Sequence, residues 1–190
     1  DKTAYALVIK GYAVAGELEQ AIQLFQLMKK RDIVPDAHVF NALLDGCARQ
    51  EMPVLLEQVW ADMQQSGAVP SNVTLVALVK LYGKQGDLDQ CNWLVNTLPK
   101  QYGFDVGAES LRALMHAGLA NNDLALARET FQKLSRPDAK AFAALIGGYL
   151  KSNVQGAVDL LERATKARVD LDPSLVENVQ FMAKRRGLKC

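Results

Sequence analysis

The chain has little of what metal centres, membranes and catalytic sites require. Its three cysteines (Cys47, Cys91 and Cys190) and two histidines (His38 and His116) show no CxxC or HxxxH spacing, so no metal site is expected. An odd cysteine count without such spacing suits a reducing compartment. No apolar run approaches the length of a membrane span, so no membrane partner is expected. Neither sign of charge dominates: 22 basic against 21 acidic residues leave +1. Strong non-specific binding to nucleic acid needs many uncompensated phosphate contacts, and this balance argues against it while leaving room for a local basic stripe. Nucleophile–base pairs, phosphate-cradling glycine loops and zinc-deaminase patterns are missing, so neither catalysis nor a cofactor is expected. Asp1 falls almost at the start of the first predicted helix, with no signal or transit segment before it. That fits a mature, trimmed or cut chain, and no cellular address is written in it.

What is present is order and repetition. Hydrophobic residues make up 49% and charged residues 23%, an ordinary folded composition that excludes disorder. Tyr5 is answered by Phe40, Gly11 by Gly46, Phe25 by Trp60, Met28 by Met63 and Pro35 by Pro70. Each pair is 35 residues apart. Five landmarks with one period are the signature of a solenoid built from a repeated supersecondary unit.

The stretch Thr3 to Asp36 sets the template. Tyr5, Val8, Ile9 and Tyr12 fall at helical spacing, and so do Leu18, Ile22, Phe25 and Met28. Gly16 supplies a left-handed stop between them, and Glu17 opens the second helix with favourable charge. Units follow at about 2–36, 37–71, 72–107, 108–138 and 139–172, with a capping or partial unit at 173–190. The chain is then a single repeat array of ten or eleven helices without strands. Met52-Pro53 replaces the glycine turn of the second unit, a proline being tolerated in a first helical turn. Leu75 to Leu111 is 36 residues, and Leu111 to Phe142 only 31 because the fourth unit loses its tail. Phe25, Trp60, Trp93 and Phe131 are predicted core. The carboxylates Asp87 and Asp89, and Asp170 and Asp172, are predicted helix caps. Helices of about a dozen residues are marginal alone, so each pair must bury its faces on a neighbour.

Tetratricopeptide repeats have a similar period, but place a Trp, Leu-Gly, Tyr pattern and end in a proline of the second helix. Here the small residues Gly11 and Gly46 sit in the first helix. The motifs Gly-Glu-Leu-Glu-Gln-Ala (16–21), Leu-Phe-Gln-Leu-Met-Lys (24–29) and Ile-Val-Pro-Asp (33–36) close the unit. This pattern resembles pentatricopeptide repeats. The resemblance runs along essentially the whole chain and is strongest in the first three units.

It implies an all-α fold, an α-solenoid of tandem helix–turn–helix repeats in a right-handed superhelix. It also implies binding of single-stranded RNA, one base per repeat, read by two or three side chains. The fifth residue of a repeat acts with the last residue before the next. In the second unit these are Asn41 and Ser71, a pair implied to favour a pyrimidine. In the first unit Asp36 fits but Ala6 does not. Val76 with Gly107, and Ala143 with Asp172, form no reading pair, while Arg112 with Asp138 reads as a salt bridge. Val73 is the one base-packing position of the expected apolar type. Arg49, Lys84 and Lys151 match the phosphate-facing position. The partner so implied is single-stranded RNA with weak sequence specificity and not DNA, in a mitochondrion or plastid. The alternative is a protein-interaction scaffold in a larger assembly, with a degenerate RNA groove.

Overall fold

In the computed structural model, which describes residues 1–188, the chain divides into two compact units, Asp1–Ser110 and Leu111–Cys190. Eleven α-helices and no strand occur among the described residues. The first unit contains α1 (Lys2–Ala15), α2 (Leu18–Lys30), α3 (Ala37–Arg49), α4 (Pro53–Ser66), α5 (Asn72–Gln85) and α6 (Leu88–Tyr102). Helix α7 (Ala108–Ala120) begins at its end. The second unit holds α8 (Leu124–Gln132), α9 (Ala139–Ser152), α10 (Val154–Lys166) and α11 (Pro173–Arg185).

Helices pair as antiparallel hairpins because the chain reverses sharply after each first helix. Gly16 adopts φ 85°, and the Glu17 N–H returns to the Tyr12 carbonyl at 2.9 Å. A left-handed residue lets the last carbonyls of α1 find donors within the turn, and glycine has no Cβ to oppose it. Glu51 (φ 57°) and Asn122 (φ 60°) take the same conformation where glycine is missing. Second helices end in the same way at Asp32, Gly67, Gly103 and Arg168, all at positive φ. Helix α8 has no such stop: Lys133 stays right-handed and Leu134 bonds back to Phe131. The chain then passes directly to Asp138, which accounts locally for the shortened unit.

Within each unit, first helices pack on the hairpin before them: α3 on α1 and α2, α5 on α3, α9 on α8, and α11 on α9 and α10. Phe25 of α2 meets Phe40 of α3 edge to face, centroids 5.6 Å apart, and Phe131 meets Phe142 at 5.0 Å in the second unit. Such pairs add about 0.5–1.5 kcal/mol beyond the area they bury. Gly46 is needed for close approach, since a Cβ there would stand 3.0 Å from Leu18 Cδ1. Leu43 and Cys47 are fully buried against this interface, whereas Val8 and Tyr12, their equivalents in α1, remain exposed. The same helix sequence is thus core or surface according to whether a hairpin lies against it.

The aromatic series needs one correction. Phe25 and Phe131 are buried, but Trp60 is only half-buried and Trp93 is 52% exposed. Residue 95, not 93, continues the period from Phe25 and Trp60. Two residues are about 200° of helical rotation, so Trp93 points away from the face made by Cys91, Leu94 and Leu98. Of the predicted caps, Asp87 and Asp172 each accept a backbone N–H, from Gln90 and Ser174, while Asp89 lies in the first turn of α6 and Asp170 precedes the cap.

Candidate nucleic-acid interface

The residue before α1, α3, α5, α9 and α11 is the N-cap of that helix, and this role fixes where its side chain goes. Asp36 Oδ1 accepts the N–H groups of His38 and Val39 at 3.0 and 3.1 Å. Ser71 Oγ accepts Val73 N–H, Asp138 accepts Ala141 N–H, and Asp172 accepts Ser174 N–H. An oxygen in this position satisfies a donor that the helix cannot satisfy itself, worth about 1 kcal/mol. The cap also sets the side chain at the seam between one first helix and the next.

At the α3–α5 seam the two helices meet through a polar cluster. Thr74, fully buried, donates from Oγ1 to Asn41 Oδ1 at 2.6 Å and accepts the Ser71 N–H at 3.0 Å. Asn41 Nδ2 points at Ser71 Oγ, 3.5 Å away. The bond to Thr74 holds the amide in one orientation. One Oδ1 lone pair and one of the two Nδ2 N–H groups stay open, as does the Ser71 hydroxyl proton. The structure therefore brings Asn41 and Ser71 together, half-buried, with donors and an acceptor to spare. Val73 stands beside them, 53% exposed.

The other expected positions are differently engaged. Asp36 is occupied as a cap through one oxygen, and Ala6 offers it nothing polar. Arg112 is ion-paired with Asp138 at 3.3 Å. Arg49 reaches the Ala13 carbonyl at 2.8 Å and Asp45 at 3.0 Å, closing the end of α1. Lys84 pairs with Glu51, whose carboxyl is held below its ordinary range by that hydrogen bond. Lys151 lies exposed in the last turn of α9, in the second unit. Many of these contacts span one repeat: Lys29–Asp62, Lys84–Glu51 and Asn41–Thr74 are all 33 residues apart.

Thr74, Asn72 and Ser110 escaped sequence reasoning. The available signal was a hydroxyl at the same inward position of two successive first helices, Thr74 and Ser110, each needing an acceptor. Cys47 and Cys91 are buried with thiols pushed up to about 12, chiefly by desolvation, and Cys190 lies outside the described residues. No three His, Cys, Asp or Glu residues are grouped to hold a metal among the described residues. Nor is any described helix long and apolar enough to cross a membrane.

Within the first unit, fold and seam define helical hairpins whose first helices are capped and meet side by side. Residues 1–49 match the PPR repeat family, and residues 28–85 match the pentatricopeptide repeat domain. The chain belongs to the pentatricopeptide repeat family. A mitochondrial pentatricopeptide repeat-containing protein of Arabidopsis thaliana is 28% identical over 166 residues, 85% of this chain and 25% of the relative. A chloroplastic one from the same plant is 27% identical over 163 residues, again 85% of this chain but 22% of the relative. The chain thus spans about a quarter of the length of these curated relatives. Among solved structures it resembles the pentatricopeptide repeat protein PPR10 in complex with an 18-nt psaJ RNA element. That match has TM-score 0.79 and 17% identity over 98% of this chain and 28% of the other. The PPR domain of Arabidopsis thaliana protein-only RNase P 1, in complex with tRNA, gives TM-score 0.83 and 15% identity. It covers 96% of this chain and 98% of that domain.

Proposed function

We propose that the chain is a non-catalytic, single-stranded RNA-binding segment of a protein that acts in organellar RNA processing, stability or translation. The observation that carries this is the meeting of Asn41 and Ser71 at the α3–α5 seam with polar capacity still open. An oriented amide and a hydroxyl side by side match the donors and acceptors on a pyrimidine edge, and Val73 offers an apolar surface for the base face. Lys84 and Arg49 in the first unit, and separately Lys151 in the second, supply positive charge for phosphates, while Asp36 lies beside the α3 start as the position paired with residue 6. Specificity is weak on this reading, because one of five units carries a full pair. The mitochondrial and chloroplastic relatives support an organellar setting, and the RNA held by PPR10 and by the RNase P domain supports the ligand class.

The test is a titration with short single-stranded oligopyrimidine RNAs at low and moderate salt. Binding tighter than to an unrelated acidic polymer is expected. Lys84→Ala with Lys151→Ala should flatten the salt dependence by about 0.7 for each phosphate no longer neutralised. Binding no tighter than to that polymer, or a salt slope unchanged in the double variant, overturns the reading.

A second reading is favoured by a separate observation. Arg49 and Lys84 are both compensated within the chain, by Asp45 and Glu51, and the net charge is near zero. A surface so neutralised suits a protein-interaction scaffold with a degenerate groove. Absence of RNA binding in the titration, with the fold intact, would select this reading.

A further inference from the structure

The α5–α7 seam is built like the α3–α5 seam, but a different asparagine fills it. Ser110 takes the place of Thr74: both are fully buried hydroxyls near the start of a first helix. Gly107 takes the place of Ser71, and Val76 that of Asn41. Val76 cannot accept a hydrogen bond, so the buried Ser110 hydroxyl has to be satisfied otherwise. Asn72 does this from one turn earlier on the same face of α5. Its Oδ1 accepts Ser110 Oγ at 2.9 Å and the Gly107 N–H at 2.7 Å, and its Nδ2 donates to the Asp105 carbonyl at 2.8 Å.

The two amides differ in what they leave free. Asn41 Oδ1 has one protein donor and keeps a lone pair open, whereas Asn72 Oδ1 has two and is saturated. Asn72 retains a single N–H, which every nucleobase can meet with an acceptor. It also fills the space in which a cap side chain would stand: a Cβ at Gly107 would lie 3.1 Å from Asn72 Cγ and 3.2 Å from its Oδ1.

We propose that Asn72 closes the third seam to base discrimination, so that this part of the chain reads one nucleotide at Asn41–Ser71 and passes over its neighbour. The proposal rests on the RNA-binding reading above and names a residue that sets its specificity. Asn72 acts by occupying the seam and by positioning the 105–110 connector.

The experiment uses single-stranded RNAs in which one position at a time is changed from pyrimidine to purine in a uniform pyrimidine background. Binding is measured for the whole chain, for the triple variant N72A/V76N/G107S and for the reciprocal A37N/N41V/S71G, with each fold checked by circular dichroism. The wild type should discriminate at one position, by about fivefold for one net hydrogen bond. The triple variant, which rebuilds the Asn–Ser arrangement of the second seam, should gain a second position adjacent to the first. The reciprocal variant, which moves the amide one turn back in α3, should lose the discriminated position while still binding RNA. Wild-type discrimination at two adjacent positions overturns the proposal. So does a folded, RNA-binding triple variant with one discriminated position, or a reciprocal variant that keeps its preference. RNA binding by none of the three removes the RNA reading itself, and this proposal falls with it.

Discussion

Replacing Asn41 by alanine should destabilise the first unit through a residue that Asn41 merely touches. Thr74 Oγ1 is fully buried and donates its one proton to Asn41 Oδ1 at 2.6 Å. Without that acceptor the hydroxyl proton has no partner, and an unsatisfied buried donor costs about 1–3 kcal/mol. For a chain of this size each kcal/mol corresponds to about 2–4 °C in melting temperature, so N41A should melt several degrees lower. Thr74→Val alone should also destabilise, because the Ser71 N–H loses the Oγ1 that completes its capping box. The informative quantity is the double variant N41A/T74V. With no hydroxyl left to strand, it should lie well above the sum of the single losses, giving a coupling of about 1 kcal/mol in a double-mutant cycle. Urea unfolding of the four proteins, followed by circular dichroism, measures it. Losses that simply add, to within about 0.3–0.5 kcal/mol, would refute the claim that the seam is one hydrogen-bonded unit.

Other expectations follow from the packing and the caps. Gly46→Ala should destabilise by about 1–3 kcal/mol, because its Cβ would sit 3.0 Å from Leu18 Cδ1, whereas Gly11→Ala meets nothing within 4 Å and should stabilise by up to about 1 kcal/mol. Urea midpoints of the two variants moving in the same direction would contradict this view of the hairpin interface. The Asp172 carboxyl is held below 3.8, first by the Ser174 hydroxyl and then by the Ser174 N–H. A depressed carboxylate contributes stability that is present above its unfolded value and lost as pH falls through the folded one. The start of α11 should therefore loosen below about pH 4. Ser174→Ala should raise the Asp172 midpoint in an NMR titration, and an unmoved midpoint would remove the hydroxyl from the cap.

Most of the fold was legible in the sequence because repetition supplies its own check. Tyr5 and Phe40, or Pro35 and Pro70, can be matched without knowing what either packs against. Turn chemistry was legible for a similar reason, since a left-handed stop at Gly16 is local. Burial was less so. Trp93 looked like core because it is aromatic and near the expected position, yet a displacement of two residues turned it outward.

The candidate site was legible only at its most explicit pair. Asn41 and Ser71 were found through family resemblance, and the seam they share places them in contact. What stayed hidden was how side-chain capacity is already used within the chain. Arg49 caps α1, Lys84 pairs with Glu51, and Asp36 has one oxygen committed to the start of α3. Asn72 was invisible as well, because its effect depends on where its oxygen lies relative to Ser110 and Gly107, and residue type alone does not give that. The polar capacity of such a seam is shaped by internal hydrogen bonding before any ligand arrives.

The most direct test follows the side-chain amide of Asn41 in nitrogen–proton correlation spectra while a short single-stranded oligopyrimidine RNA is added. The expected result is a saturable shift of the Asn41 amide together with the backbone N–H groups of Val73 and Thr74, with the Asn72 amide moving little. RNA that leaves Asn41 in place while shifting resonances elsewhere, or that shifts none at all, would contradict the assignment of the α3–α5 seam as the site of base recognition.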